Sequence, residues 1–235
     1  MLRMLTLLGA SVLLATLAFG CDGDGADETP TTGETPATGE TPTAVDTPAS
    51  SPVPAATPLT FSERPKITIV PNKKYVAVVE TVNGTFRIDL RPDLAIQTVN
   101  SFIFLAREGY FNGVTFHRVI RDVPGDQDFM AQGGDPTGTG SGGPGYNLPD
   151  EFSPDVPFER GTVAMANTGA PNSSGSQFFI AYNDKFQSAL NGRYTVFGTV
   201  TEGMEVVESL TPRDPDTDPA APPGDAIISI TIEEG

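Results

Sequence analysis

The segment from Asp22 to about Pro65 decides where this chain of 235 residues can fold. It consists largely of Thr, Pro, Gly, Glu and Ala, and it contains the near-repeat TGETPATGETPT. Such a segment has too little apolar surface to offset the entropy lost on ordering, and its prolines cannot donate backbone hydrogen bonds. We therefore expect a disordered linker over residues 21–65 and one compact domain over residues 66–235.

The N-terminus has the pattern of an export signal. Arg3 supplies a positive charge, Leu5–Phe19 is an apolar run, and Gly20 precedes Cys21. The run is short for a helix that spans a bilayer and suits the core of a signal peptide. A small residue before the only cysteine resembles the bacterial lipoprotein signal. We expect residues 1–20 to be removed as a signal peptide, and Cys21 to carry a lipid that anchors the exported protein to the outer face of the membrane. An uncleaved anchor or a plain signal peptide is the alternative.

Composition excludes several classes of function. The chain has 30 acidic and 14 basic residues and a formal net charge of −16, which argues against binding nucleic acid because phosphates require excess Lys and Arg. One cysteine permits no internal disulfide. One cysteine and one histidine also exclude a zinc site with ordinary Cys and His ligands. We therefore expect no metal and no cofactor.

Short β-branched runs separated by turns predict a mainly β domain. Asn83-Gly84 stands between the first two runs and is a strong hairpin signal. Apolar residues recur at helical spacing over 95–108, and Met204 begins a second short helical stretch that reaches residue 210. The predicted strands are 75–81, 85–90, 115–119, 129–132, 162–166, 177–181, 195–200 and 226–232. We expect a closed eight-stranded antiparallel barrel capped by two α-helices, because closure leaves no strand edges exposed.

The glycine-rich stretch at residues 138–143 matches G-x-G-x-x-G. A dinucleotide site needs that turn to open a helix inside a βαβ unit. Pro144-Gly145 follows instead, and the surrounding segments are predicted to be strands. The stretch is therefore interpreted as a loop.

Three aspartates, Asp214, Asp216 and Asp218, have the spacing of the first three ligands of a calcium loop. Pro219 occupies the position where such a loop needs glycine. A solvated acidic loop is therefore the preferred interpretation.

Three separated segments carry residues suited to a peptide site. Arg118 supplies a fixed cation with forked donors. Its neighbour His117 points to the opposite face of a strand and is interpreted as a core residue. Met130 and Gln132 share a strand face because side chains alternate with period two. On composition alone, the nearby aromatic residues are better interpreted as core residues than as the wall of an apolar pocket.

The same segments resemble the cyclophilins. The matching stretches are TVNSFIFLAREGYFNGVTFHRV, FMAQGGDP, TGTGSGGPGY, MANTGAPNSSGSQFFI and TVFGTV. Together they cover about residues 75–210, which is nearly the whole predicted domain. The resemblance implies an eight-stranded antiparallel barrel with two capping helices, and isomerisation of X-Pro peptide bonds.

The resemblance also implies roles for individual residues. Arg118 corresponds to the catalytic arginine of the family. The proline pocket corresponds to Phe129, Met130, Phe179 and Leu190. The positions that hold the substrate backbone correspond to Gln132, Ala166, Asn167 and Gln177. Tyr194 stands where many members have a histidine that closes the pocket.

Two further departures from the family pattern stand out. Ala189 replaces a tryptophan that many members have before the pocket leucine, so the resemblance implies only weak binding of cyclosporin. Val119–Asp128 separates Arg118 from Phe129 by ten residues where the compact family pattern has about four.

The expected function is cis-trans isomerisation of X-Pro bonds in exported polypeptides by a monomer that assists their folding. The alternatives are a module that binds proline-containing peptides, or acts as a holdase, with little catalysis, and an inert scaffold displayed on the cell surface. Proline-containing polypeptides and the membrane, reached through the lipid anchor, are the expected partners.

Overall fold

The computed structural model describes residues 55–121 and 128–235. The predicted signal peptide, Cys21 and most of the predicted linker lie outside these residues. Within them, eight strands and three short helices follow one another along the chain. The strands are β1 (Tyr75–Thr81), β2 (Gly84–Leu90), β3 (Arg118–Ile120), β4 (Met130–Gly133), β5 (Thr162–Met165), β6 (Phe178–Ala181), β7 (Val196–Glu202) and β8 (Ile227–Glu234). The helices are α1 (Ile96–Arg107), α2 (Gln187–Leu190) and α3 (Met204–Glu208).

The strands form one antiparallel sheet in the order β3-β4-β6-β5-β7-β2-β1-β8. The prediction of eight antiparallel strands is confirmed, but the prediction of a closed barrel is wrong, because the sheet is a half-barrel that is open between β3 and β8. The predicted strand over 115–119 explains the difference. Residues 115–117 of that predicted strand lie outside β3. Thr115 makes only isolated bridges to Asp135 and Ala226. Single backbone bonds such as Phe116 N–H to Asp225 O (2.9 Å) thus take the place of a continuous ladder.

Helix α1 packs its apolar face against the concave side of the sheet. Val99, Phe102 and Ile103 are buried in the main core, where Phe102 contacts the edge of Phe178 at 5.8 Å between ring centroids. The N-terminus of α1 has no side-chain cap of its own. Glu151 supplies one instead, because its carboxylate accepts hydrogen bonds from the backbone N–H groups of Gln97 (3.0 Å) and Thr98 (2.9 Å).

Residues before β1 already contact the domain. The backbone N–H of Phe61 donates to the Pro144 carbonyl at 2.8 Å, and its ring meets the edge of Phe104 at 5.0 Å. Further along, the Asn100 side chain accepts from Thr68 N–H and donates to the Lys66 carbonyl. The domain is therefore contacted by Phe61, a residue of the segment that composition predicts as linker.

Among the described residues, no helix is long and apolar enough to cross a membrane.

Candidate active site

The outer face of the half-barrel carries a row of side chains from neighbouring strands. Arg118 in β3 pairs with Gln132 in β4, Gln132 pairs with Phe179 in β6, and Phe179 pairs with Ala164 in β5. Successive side chains in a strand point to opposite faces, so the neighbours Val119, Ala131 and Phe178 belong to the main core instead. Strand alternation thus brings residues from distant parts of the sequence together on one surface.

The apolar residues predicted for the proline pocket lie in a second cluster, separate from the main core. Its members include Phe129, Met130, Ala166, Phe179, Leu190 and Tyr194. Phe179 is buried, and its ring meets that of Tyr194 edge-on at 5.3 Å between centroids. Tyr194 is half-buried. The structure therefore gathers these residues into one apolar patch beside Arg118 and Gln132.

Two aromatic residues of this patch were not predicted from the sequence. Phe158 is fully buried and stacks parallel to Phe179 at 5.9 Å, so it supports the pocket from behind. Phe186 packs against Phe129 at 4.5 Å. Both residues lie in irregular segments with no strand or helix periodicity, and the sequence therefore carried no signal for their contacts.

A chain of side-chain amides connects the row to the glycine-rich loop. Gln132 Nε2 donates to Gln177 Oε1 at 2.9 Å. Gln177 Nε2 in turn donates to the carbonyls of Gly140 and Gly142, both at 2.9 Å. Within the described part of the chain, the Oε1 atom of Gln132 forms no hydrogen bond. This atom can accept one from a peptide N–H.

Ala166 and Asn167 line a groove of about 1050 Å³, which Gln132 and Gln177 also line. The Ala166 N–H donates to the Gln177 carbonyl at 2.9 Å. The Asn167 side chain donates to the Arg193 carbonyl and accepts from Gly169 N–H, both at 3.0 Å. These bonds fix the backbone at residues 166–167. The four residues predicted to hold the substrate backbone therefore line a single groove, as an extended peptide requires.

The glycine-rich loop is built around a buried carboxylate. Asp135 accepts hydrogen bonds from the backbone N–H groups of Thr137 (2.7 Å), Thr139 (3.1 Å) and Gly142 (3.0 Å). Burial raises the pKa of Asp135, but the hydrogen bond from the Thr137 hydroxyl and those from backbone N–H groups of the loop outweigh it and hold the pKa below its usual value. A Cβ on Gly142 would lie 2.0 Å from Asp135 Oδ1, so only glycine fits there. The stretch is a loop that forms one wall of the groove, as its sequence predicted.

His117 is buried on the core side of Arg118. Neither of its ring nitrogens has a hydrogen-bond partner among the described residues, although a backbone group of Thr115 lies nearby. Burial lowers the pKa of the imidazole, and Asp135 opposes that effect only in part. The histidine is therefore neutral and lies beneath the groove rather than in it.

Ala189 and the segment Val119–Asp128 are the two other departures from the family pattern. Ala189 is exposed in α2, next to the buried Leu190. The segment Val119–Asp128 begins as part of β3, since that strand continues to Ile120, and residues 122–127 lie outside the described part.

No group of three or more His, Cys, Asp or Glu side chains in the described ranges could hold a metal ion. Asp214 and Asp216, two of the three aspartates with calcium-loop spacing, form ion pairs with Arg118 instead.

Comparison with known proteins identifies related chains. A model of the family described as cyclophilin type peptidyl-prolyl cis-trans isomerase/CLD matches residues 76–232. A probable peptidyl-prolyl cis-trans isomerase of Brucella suis is 43% identical over 162 residues, which cover 66% of this chain and 81% of that protein. A peptidyl-prolyl cis-trans isomerase of Synechococcus elongatus is 42% identical over 158 residues, covering 66% of this chain and 94% of that one.

Solved structures give the same picture. A cyclophilin-type isomerase of Cryptosporidium parvum has a TM-score of 0.59 and 32% identity, and the match covers 69% of this chain and 99% of that chain. The same protein, crystallised in the presence of the dipeptide Ala-Pro, has a TM-score of 0.58 and 32% identity, with 68% and 99% covered.

Proposed function

Because the chain belongs to the cyclophilin-type peptidyl-prolyl cis-trans isomerase family, we propose that its domain accelerates rotation about X-Pro bonds in exported polypeptides and so assists their folding. The observation that carries this proposal is the pairing of Arg118 with Gln132 and of Gln132 with Phe179 across three strands. A cation, an amide and an apolar wall thus lie side by side on one face. Proline-containing peptides are the proposed ligands, and the Cryptosporidium relative crystallised with Ala-Pro supports that choice.

The proposed mechanism needs no covalent intermediate. The barrier to rotation is about 18–20 kcal/mol because the amide C–N bond is partly double. Rotation localises the lone pair of the prolyl nitrogen, and an Arg118 N–H aimed at that nitrogen is most useful in the twisted state. Such a donor lowers the barrier instead of merely tightening substrate binding. The patch around Phe179 holds the proline ring, and Gln132 holds the adjoining peptide while the carbonyl side turns.

A protease-coupled assay on a proline tetrapeptide tests this proposal. The protease cleaves only the trans peptide, so an isomerase increases the rate at which the cis fraction is consumed. Acceleration that follows enzyme concentration supports the proposal. Binding of the peptide without acceleration would favour a holdase, and neither binding nor acceleration would favour a scaffold.

The location of the enzyme is a separate part of the proposal. The run Leu5–Phe19 before Gly20-Cys21 supports export and a lipid on Cys21, and the Thr- and Pro-rich residues 22–54 supply a spacer. A chain of these 33 residues that behaves as a random coil would span on the order of 30 Å. We propose that this spacer connects the lipid anchor to a monomeric isomerase domain on the outer side of the cell membrane. The domain can then reach polypeptides that have just been exported.

A further inference from the structure

The guanidinium of Arg118 contacts two carboxylates of the loop that follows α3. Its Nε donates to Asp214 Oδ1 at 3.2 Å, and its Nη2 lies 3.3 Å from Asp216 Oδ2. Nε and Nη2 form one edge of the planar group. Among the described residues, Nη1 has no hydrogen-bond partner, so this nitrogen remains available to a substrate.

Backbone pairing places Asp214 beside Arg118. Val119 and Arg213 exchange both backbone hydrogen bonds, at 2.6 and 2.9 Å, in an antiparallel bridge. One residue along from such a pair, Arg118 and Asp214 stand directly opposite each other as a non-hydrogen-bonded pair, the arrangement in which side chains approach most closely. The contact is therefore built into the backbone.

The two aspartates differ in how firmly they are held. The Asp214 carbonyl accepts hydrogen bonds from Thr217 N–H (3.1 Å) and Asp218 N–H (2.9 Å), which close the turn on which it lies. The Asp214 side chain is 23% exposed, whereas that of Asp216 is 76% exposed. An exposed ion pair contributes little, so Asp214 is the partner that restrains Arg118.

We propose that Asp214 is a positioning residue, which orients Arg118 by occupying its Nε edge and leaves Nη1 to the substrate. This inference rests on the proposed isomerase function. A free arginine side chain samples many rotamers, and ordering it when substrate binds would reduce the stabilisation of the twisted peptide. The carboxylate of Asp214 orders it beforehand, and a charge-assisted hydrogen bond is strong enough to do so.

The test compares Asp214→Ala with a matched control, Asp218→Ala, which removes the same charge from the same turn. The Asp218 carboxylate accepts a hydrogen bond from Ala220 N–H and forms none with Arg118. With a neutral proline tetrapeptide, we expect Asp214→Ala to lower kcat about three- to thirtyfold, with KM changed less than about twofold. Asp218→Ala should keep at least about half of the wild-type kcat, and Asp214→Glu should recover part of the loss.

A double-mutant cycle separates positioning from a general structural role. In an Arg118→Ala background, Asp214→Ala should change kcat less than about twofold, because no guanidinium is left to position. The proposal would be overturned if Asp214→Ala lowered kcat equally in the wild-type and Arg118→Ala backgrounds. It would also be overturned if the control variant Asp218→Ala lowered kcat as much as Asp214→Ala does. A rise in kcat/KM on Asp214→Ala would also overturn it, since the carboxylate would then be competing with substrate.

A second measurement does not depend on turnover. Proton exchange at Arg118 Nε–H, followed by NMR, should be slow in the wild type and much faster in Asp214→Ala. Unchanged exchange contradicts the contact itself. A wild-type protein that lacks isomerase activity but shows slow exchange would instead contradict the proposed function and its positioning role together, while leaving the contact established.

Discussion

Arg118 lies directly opposite Gln132 in the antiparallel ladder between β3 and β4. The pair joins a guanidinium on the outer face to an amide whose Oε1 has no hydrogen-bond partner among the described residues. Neither residue is near the other in sequence, since the segment with residues 122–127 intervenes. Their pairing places a donor and an acceptor side by side in the proposed peptide site.

Replacing Arg118 with alanine should lower kcat/KM about 100- to 1000-fold, the usual loss for one preorganised transition-state donor. Arg118→Lys should recover little, because a point charge lacks the planar fork. The protease-coupled assay measures both variants. Arg160→Ala is the control, since that exposed arginine pairs with Glu208 away from the groove. Near wild-type turnover by an Arg118→Ala variant with an unchanged circular dichroism spectrum would contradict the assignment.

Ala189→Trp should increase affinity for cyclosporin. Ala189 is exposed on α2 at the edge of the pocket, and an indole there adds an N–H donor toward the inhibitor. One such hydrogen bond contributes about 0.5–1.5 kcal/mol, or roughly two- to twelvefold in the inhibition constant. Inhibition titrations of the two proteins measure the difference, and equal constants would count against this reasoning.

The free energy of unfolding should fall as the pH drops below about 6.5, because of His117. Burial lowers the pKa of this residue in the folded protein below the usual 6.5, so below that pH the unfolded chain binds more protons than the folded one. The free energy of unfolding changes with pH by at most about 1.4 kcal/mol per pH unit. This dependence stops once the pH has fallen below the pKa of His117 in the folded protein. Above pH 6.5 His117 contributes no pH dependence.

Urea titrations between pH 7.5 and 5.5 measure this effect, with His117→Met as the reference. Methionine fills the buried site without titrating, and the carboxylates common to both proteins cancel in the difference. Parallel stability profiles for the two proteins would show that His117 is not the group responsible.

Phe61→Ala should lower the free energy of unfolding by about 1–2 kcal/mol, since it removes the edge-on contact with Phe104 and part of a half-buried ring. Leu59→Ala is the matched control, because Leu59 is exposed two residues away. Chemical denaturation measures both changes. Equal and negligible effects would mean that the ring of Phe61 adds nothing to stability.

Cys21→Ser should release the protein from the membrane fraction, because lipidation requires the thiol. Mass spectrometry of the mature N-terminus in a bacterial host should find a lipid on Cys21 and no residue before it. A serine variant that stays as firmly bound as the wild type would point to an uncleaved apolar anchor.

The sequence predicted the parts of the fold that depend on local pattern. The turn at Asn83-Gly84 correctly joins β1 and β2, and α1 spans Ile96–Arg107 within the predicted 95–108. Closure of the sheet was predicted wrongly, because it depends on how residues 113–116 divide their bonds between the ends of two strands, and no local pattern encodes that choice.

Part of the candidate site could also be predicted from the sequence, and part could not. The resemblance supplied Arg118 and Gln132, and period-two alternation placed Met130 and Gln132 on one face. The contact with Asp214 depends instead on the bridge between Val119 and Arg213, which are 94 positions apart in sequence. Spacing along the acidic loop suggested calcium ligands, and only the register revealed that Arg118 is the partner.

The contacts of residues 61–70 have a mechanical consequence. From Phe61 onward, the chain is held in turn by the Pro144 carbonyl, by Asn100 and by the Tyr75 hydroxyl. A force that pulls the chain from its N-terminal side loads these attachments one after another, as in peeling, before it reaches β1. The Phe61 attachment is to Pro144, which lines the groove next to the glycine-rich loop, so such a force acts on the wall of the groove before it acts on the sheet.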